Sequence, residues 1–232
     1  MTMKKLSLLI TLLFPFLTNA QYGVLDPDFD ADGIRSFEIG NLGVTRAYDL
    51  AVQQDGKILV LGETELPQPA GLSSFIIRLF PDGSTDQSFG VNGAVALSGS
   101  LRQMTIQPDG KIVLVGAGEF NNSYAVAFVR LNGADGSADA SFGVSGAYYM
   151  PFPQGSFLMD VALQSDGKIV AVGFTTESDT DVLLVRLNQD GTADNTFSFD
   201  GVVKTDVNSV DEARGLVIGD DGKITIAGTT EE

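Results

Sequence analysis

Residues 164–173 read QSDGKIVAVG, and this stretch recurs along the chain. The tetrapeptide Asp-Gly-Lys-Ile begins at four aspartates spaced 54, 57 and 55 residues apart: Asp55, Asp109, Asp166 and Asp221. A glycine stands seven positions after each of them, at Gly62, Gly116, Gly173 and Gly228. Four copies in one register indicate an internal repeat, and a period of this length governs the fold of the whole chain.

A second motif lies between successive copies of the first. One copy comprises Arg78-Leu79, Asp82-Gly83, Asp86, Phe89 and Gly93. Later copies begin at Arg130 and at Arg186, and in all three a Phe stands three residues and a Gly seven residues after the last Asp. The N-terminal segment carries the tail of the same motif, with Asp26, Phe29 and Gly33 at these offsets. The repeat therefore extends over almost the whole chain after residue 20.

Each repeat predicts four short β-strands. The Asp-Gly pair is the strongest short-range signal for a hairpin, because both residues tolerate positive φ. Runs such as Ile112 to Val115 and Val182 to Val185 are continuously apolar, which is typical of strands buried on both faces of a sheet. We therefore predict an all-β fold, a β-propeller of about four four-stranded blades, with repeat units at about 26–81, 82–134, 135–189 and 190–232.

The strand count leaves the predicted ring open. Three units of four strands and a last unit of three make fifteen, because the sequence ends at Glu232 soon after the third strand of the last unit. An unpaired apolar edge around Ile224 to Ile226 would favour aggregation. We therefore hypothesise that the chain is the N-terminal part of a longer protein or a gene fragment, in which case its blades could belong to a larger propeller. The alternative is a closed four-bladed ring whose last blade has three strands.

The recurring residues resemble the delta-60 repeat family, a set of bacterial β-propeller repeats of uncertain function. The resemblance rests on the Gln-x-Asp-Gly-Lys-Ile turn, the Gly seven residues after its Asp, and the Asp-x-x-Phe-Gly-x-x-Gly segment, and it covers Leu25 to Gly228. Departures are Asp30 and Ser198 where Gly follows Phe, and Gly219 in place of Gln. The resemblance implies a propeller of an exported, often cell-surface, protein and supplies no catalytic residue.

The first twenty residues have the pattern of a signal peptide. Lys4 and Lys5 precede an apolar stretch from Leu6 to Leu17, and small residues stand before the predicted cleavage site at Ala20. The apolar stretch is too short to span a membrane as a helix. We thus assign 1–20 to a signal peptide and 21–232 to the repeat domain. The expected location is extracellular or at the cell surface, with the periplasm as an alternative.

Composition narrows the chemistry that the chain can carry out. It contains no His and no Cys, which excludes imidazole or thiol catalysis and zinc sites built from those ligands. The formal net charge is −16, and it becomes more negative once Lys4 and Lys5 leave with the signal peptide. An acidic chain repels phosphate backbones. We therefore predict no nucleic-acid partner. The short apolar stretch predicts no membrane span, and a protein or glycan ligand is left open.

The repeated charged residues are predicted to be structural, because they recur in every unit whereas a catalytic centre is normally single. We expect each motif Arg to pair with the Asp eight or nine residues later. One acidic segment is a separate candidate: Asp28, Asp30, Asp32 and Gly33 match the start of a calcium loop of the form D-x-D-x-D-G. The twelfth position is Ile39 rather than Glu. Apart from calcium at this loop, the sequence predicts no cofactor.

Two further sets of residues lie outside the repeat signature. Aromatic residues cluster in and around one loop and are candidate ligand contacts, with core packing as the alternative: Tyr124, Tyr148, Tyr149, Phe152 and Phe157. The acidic residues Glu63, Glu65, Glu119, Glu177 and Glu212 could supply a carboxylate pair for glycoside hydrolysis if two of them converged.

The repeat, the signal-peptide pattern and the composition together predict an exported, non-enzymatic binding or scaffold module. The alternative is a carboxylate-dependent glycan hydrolase or lyase. The two differ in one visible respect. An enzyme needs two or more non-repeated carboxylates that converge in one pocket, whereas a binding module does not.

Overall fold

The computed structural model describes residues 23–37, 45–65, 72–177 and 179–231. These residues form fourteen strands in four antiparallel sheets, the first three with four strands each and the last with two. The strands are β1 Thr45–Val52, β2 Ile58–Glu65, β3 Leu72–Leu79, β4 Ala94–Ser98, β5 Ser100–Ile106, β6 Ile112–Phe120, β7 Ser123–Leu131, β8 Ala147–Pro151, β9 Phe157–Leu163, β10 Ile169–Thr175, β11 Asp181–Leu187, β12 Val202–Thr205, β13 Val210–Ile218 and β14 Ile224–Glu231.

The sheets follow the chain in order: β1 to β4 form the first sheet, β5 to β8 the second, β9 to β12 the third, and β13 with β14 the fourth. The sheets are offset by one strand from the sequence repeats. The strand that follows each motif Gly opens a new repeat in the sequence but is the last strand of the preceding sheet; β4, for example, follows Gly93 and pairs with β3. Residues 34–37, where the first of the fifteen predicted strands would begin, are not in a strand. Residues 38–44 lie outside the described part of the chain.

The innermost strands β1, β5, β9 and β13 lie beside one another from sheet to sheet. Each has a one-residue bulge, at Tyr48, Arg102, Met159 and Arg214. In β1 and β9 the residue after the bulge is an aspartate that joins neighbouring sheets: Asp49 Oδ2 accepts the amide of Met104 at 2.8 Å, and Asp160 Oδ2 accepts the amide of Leu216 at 2.7 Å. Bulges bend a strand and re-aim its side chains, and here they bring carboxylates to the next sheet.

Apolar side chains fill each space between neighbouring sheets, in three successive core clusters. The run Ile112 to Val115 is fully buried, with neighbouring residues pointing into different clusters. This confirms the prediction that the apolar runs are covered on both faces. A fourth cluster covers the outer face of the first sheet, where Phe29 and Phe37 of the N-terminal segment pack.

A buried ionic network lies where the two motifs of a repeat meet. Arg78 Nε donates to Asp86 Oδ2 at 2.8 Å, and the pairs Arg130–Asp139 and Arg186–Asp194 have the same arrangement at 2.7 Å. Each guanidinium also lies 4.2–4.5 Å from the ring centroid of the motif Phe, and the lysine of the Asp-Gly-Lys turn reaches the same carboxylate at 3.1–3.4 Å. The predicted structural pairing of Arg with Asp is confirmed.

The same network joins the first sheet to the second and the second to the third. Arg78 donates from Nη1 to the carbonyl of Gly133 at 2.6 Å and from Nη2 to the carbonyl of Ala134 at 2.9 Å. In addition, the amide after Phe29, Phe89 and Phe142 donates to the carbonyl of the next Asp-Gly pair, as from Gly90 to Asp135 at 2.8 Å. The repeated residues are therefore committed to holding the sheets together.

Acid should unfold the protein over a defined pH range. Burial alone would raise the pKa of Asp86, but hydrogen bonds from Ser88 and the charge of Arg78 lower it to about 2; the pKa values of Asp139 and Asp194 are lowered as well. A carboxylate with a depressed folded-state pKa stabilises the fold above its unfolded pKa, here 3.8, and this contribution is lost as the pH falls through the folded-state pKa.

We therefore expect the urea midpoint, followed by circular dichroism, to fall steeply between about pH 4 and pH 2. It should change little between about pH 5 and pH 7, where these carboxylates stay ionised in both states. A midpoint at about pH 2.5 equal to that at neutral pH would contradict the prediction.

Candidate functional site

The two ends of the sheets differ in character. One end, which we call the motif end, carries the Asp-Gly-Lys turns and the Arg–Asp network. The opposite end carries the β2–β3, β6–β7 and β10–β11 connections and the crossovers from the outer strand of one sheet to the inner strand of the next. Because its residues are not repeated, the opposite end is where a specific site can differ from one sheet to another.

An open cleft at the motif end lies between the first two Asp-Gly turns and is lined by Gln53, Gln107 and Gly133 among others. Its polar groups already have partners, since Gln53 Nε2 donates to the carbonyl of Gly133 at 3.1 Å and Gln107 Oε1 accepts from Arg130 at 3.3 Å. The cleft is therefore a seam between repeated turns.

The structure distributes the predicted aromatic cluster over two faces of the second sheet. Tyr148 and Phe152 pack on the core between the second and third sheets. Tyr149, the neighbour of Tyr148 along β8, faces the first sheet. Tyr124 is 42% exposed and accepts a hydrogen bond at its hydroxyl from Gln154 Nε2 at 3.0 Å. Of the four candidates, Tyr124 is the most accessible to a ligand.

A further aromatic residue, not singled out in the sequence, lies at the tip of the β6–β7 hairpin. Phe120 is 42% exposed and stacks on Tyr149 with a centroid distance of 5.2 Å and an interplanar angle of 8°. The tip itself is Asn121-Asn122, both with positive φ, as in the tight turns that favour hairpins. The hairpin thus presents an aromatic ring on each of its faces, Phe120 on one and Tyr124 on the other.

In the N-terminal acidic loop, the carboxylates of Asp30 and Asp32 accept hydrogen bonds from separate protein groups. Asp30 Oδ1 accepts from Arg35 at 3.1 Å, and Asp32 Oδ1 accepts the amide of Ile34 at 2.9 Å. Asp28 is exposed. Within the described residues, these three carboxylates do not form a group whose oxygens lie within 4.8 Å of one another. Calcium binding at this loop stays a prediction.

The acidic residues considered for hydrolysis are spread over the sheets: Glu63 lies in β2, Glu119 in β6, Glu177 follows β10 and Glu212 lies in β13. Glu177 pairs with Lys204, and Glu212 pairs with Arg214. Glu63 is 3% exposed and accepts hydrogen bonds from Ser100 Oγ and the Tyr48 hydroxyl. The side chain of Glu65 lies outside the described residues.

Glu63, in β2, adjoins a non-repeated cluster of residues on the inner strands. The guanidinium of Arg102 lies 4.8 Å from the ring centroids of both Tyr48 and Phe157, and its Nε is 3.9 Å from Glu63 Oε2. The cation is thus flanked by rings from the first and third sheets, an arrangement stabilised by cation–π attraction. The cluster links three sheets, and it was missed in the sequence because two of its members occupy bulges.

One group of carboxylates at the end opposite the motif end has the geometry of a cation site. One oxygen from each of Asp181, Asp206 and Asp211 lies within 4.8 Å of the other two. Burial raises the pKa of Asp181, and so do the nearby charges of Asp179 and Asp206. These three residues are not among the candidates predicted from the sequence. The sequence did hold one signal for this site: these three positions are all acidic in this repeat, and the equivalent positions of the other repeats are not.

Within the described residues, no helix is long and apolar enough to cross a membrane. The search among curated proteins gave no match. Among solved structures, the chain is similar to a mannose phosphorylase from Leishmania mexicana in complex with phosphate ion, with 11% identity and a TM-score of 0.42. The similarity covers 77% of this chain and 62% of the phosphorylase, which is less than two thirds of that protein.

Three segments match a family model described as a domain of unknown function (DUF5122) beta-propeller: residues 53–89, 107–142 and 164–197. Each segment begins at the Gln of an Asp-Gly-Lys turn and ends at the Phe of the next motif. The matched segments therefore coincide with the structural network of Arg, Asp, Lys and Phe. The all-β sheets and these three matches together support a β-propeller repeat family of unknown function.

Proposed function

We propose that the chain is a non-enzymatic β-propeller module that binds a protein or glycan, or serves as a scaffold, at the cell surface or outside the cell. Export is proposed from the pattern of residues 1–20, which lie outside the described residues. The assignment to the delta-60 repeats, the bacterial origin and the number of about four blades are parts of the same proposal.

The observation that carries the proposal is the β6–β7 hairpin. Phe120 and Tyr124 expose 42% of their surface on its two faces, beside the amides of Asn121, Asn122 and Gln154. Aromatic rings offer a large apolar area at a low cost in side-chain entropy, and amides add directional hydrogen bonds. This combination suits the apolar faces and hydroxyl groups of a sugar, so we put a glycan ahead of a protein ligand.

The hydrolase alternative has less support. General acid–base hydrolysis of a glycoside needs two carboxyl groups that flank the same bond, about 5–9.5 Å apart. Apart from Glu63 and Glu65, which share β2, the candidate glutamates belong to separate sheets. Two of them, Glu177 and Glu212, pair with basic residues of their own. Release of reducing sugar from hydroxyethylcellulose, xylan or mannan would favour the enzyme over the binding module.

Replacing Phe120 and Tyr124 together by alanine should weaken glycan binding by about tenfold or more, since exposed aromatic anchors carry a large share of binding energy. The measurement is affinity electrophoresis in gels that contain hydroxyethylcellulose, xylan or mannan. Phe199→Ala is the matched control, because Phe199 is 95% exposed and lies at the motif end, away from the hairpin. Equal retardation of the wild type and the double variant, or no retardation in any gel, would contradict glycan binding at the hairpin.

A further inference from the structure

The crossover from the third to the fourth sheet gathers the three carboxylates described above. Asp181 begins β11, Asp206 directly follows the outer strand β12, and Asp211 is the second residue of the inner strand β13. The amide of Asp211 donates to the carbonyl of Thr180 at 2.6 Å, which holds the two strands together at this point. The carboxylates are therefore brought together by backbone pairing from three separate strands.

The two oxygens of Asp211 have different surroundings. Oδ2 accepts the amides of Val207 at 2.6 Å and Asn208 at 2.9 Å, and so shapes the crossover loop. Oδ1 is buried and has no hydrogen-bond partner, in a residue that is only 1% exposed. Oδ1 of Asp181 is likewise buried and unpartnered. An unpaired buried carboxylate oxygen is costly, so this arrangement calls for a positively charged partner.

Protein cations do not fill that role in the part of the chain that the structure describes. No Lys or Arg there forms a salt bridge with Asp181, Asp206 or Asp211. The nearest basic residues along the chain are engaged elsewhere, Lys204 with Glu177 and Arg214 with Glu212.

The other two crossovers show that the fold does not require acids here. The residue five positions before the motif Arg is Asp181 in the third sheet, Ser73 in the first and Ala125 in the second. Across the outer strand, Pro151 pairs with Ala125, and continuing the register by one residue places Asp206 opposite Asp181 and Ser98 opposite Ser73. The third position lies three residues before the bulge of the next inner strand. It is Asp211 after the third sheet, Gly99 after the first and Ser156 after the second. Three acids in equivalent positions of one crossover, and none in the other two, indicate a local function.

Calcium suits this site in charge, ligand type and size. Ca²⁺ binds six to eight oxygen ligands at about 2.3–2.6 Å, so oxygens on opposite sides of the ion are about 5 Å apart; the observed separations of up to 4.8 Å fit within that limit. Mg²⁺ requires a tighter octahedron at about 2.0–2.1 Å. We propose that Asp181, Asp206 and Asp211 bind one calcium ion, which ties the outer strand of the third sheet to the inner strand of the fourth.

Calcium titration of the full-length protein by isothermal calorimetry tests the site. We expect one equivalent to bind, with an affinity about tenfold or more above that for magnesium. Asp181→Asn and Asp206→Asn should each weaken binding about tenfold or more. A variant with both Asp181→Ser and Asp206→Ser, which takes the residues of the first crossover, should stay folded by circular dichroism and bind no calcium. Asp211 is left intact because its Oδ2 holds the loop.

The matched control carries Asp28→Asn and Asp32→Asn in the N-terminal acidic loop and should bind calcium as the wild type does. Calcium should also raise the unfolding temperature of the wild type relative to EDTA, because a ligand that binds only the folded state stabilises it. The proposal is overturned if about 5 mM calcium gives neither heat nor a thermal shift, if the Asp181 and Asp206 variants bind normally, if magnesium binds more tightly, or if the control variant alone loses binding.

Discussion

Arg78→Leu is expected to lower the free energy of unfolding by about 3–5 kcal/mol, the usual cost of breaking a buried ion pair from one side. Both Arg78 and Asp86 have side chains that are 2% exposed. The variant leaves the Asp86 carboxylate buried with less compensation, and it removes the donors that bind the carbonyls of Gly133 and Ala134 in the next sheet. Urea unfolding followed by circular dichroism measures the loss.

Lys223→Ala is the matched control for this variant. Lys223 pairs with Asp221 in the last Asp-Gly-Lys turn, but both side chains are exposed, at 83% and 56%, and an exposed pair contributes about 0–1 kcal/mol. Adding Asp86→Asn to Arg78→Leu should restore part of the stability, because the second change removes the uncompensated charge. A small loss for Arg78→Leu, similar to that for Lys223→Ala, would show that the Arg–Asp network is dispensable.

The features that could be predicted from the sequence are those that depend on residues close together in the chain. The Asp-Gly turns, the apolar strands and the pairing of Arg78 with Asp86 all involve separations of fewer than ten residues. They also recur three or four times, so that each copy supports the interpretation of the others. The offset between repeats and sheets was not predicted, because it depends on which neighbour the strand after each motif Gly pairs with.

The candidate sites depend on contacts that are distant in sequence or on the orientation of single side chains. Asp181 and Asp211 are thirty residues apart, and only the crossover brings their oxygens together. The separation of Tyr148 from Tyr149, in contrast, follows from a rule that the sequence does provide: successive residues of a strand point to opposite faces. Once β8 is recognised as a strand, a cluster of both rings on one surface is ruled out.

The glycine seven residues after each Asp has a steric explanation that also needed the structure. A Cβ on Gly116 would lie 2.0 Å from the carbonyl oxygen of Ser100, and one on Gly173 would lie 1.9 Å from that of Phe157. These carbonyls stand on the inner strand just before its bulge, where the register shifts. The glycine and the bulge therefore form one unit, because the bulge pushes the backbone into the space that a side chain would occupy.

Gly116→Ala is accordingly expected to destabilise the protein by about 3 kcal/mol, at the upper end of the usual cost of overpacking. The clash is with two backbone atoms of β5, the carbonyl oxygen of Ser100 and Cα of Leu101 at 2.9 Å, and so rotamer changes cannot relieve it. Gly215→Ala is the matched control: it also lies in a strand of ordinary φ, but its nearest neighbour, Asp160 Oδ2, is 3.7 Å away. That variant should be neutral or slightly stabilised, since alanine loses less backbone entropy on folding than glycine. If urea unfolding gave the two alanine variants equal midpoints, the contact with the bulged strand would not be what excludes a side chain at Gly116.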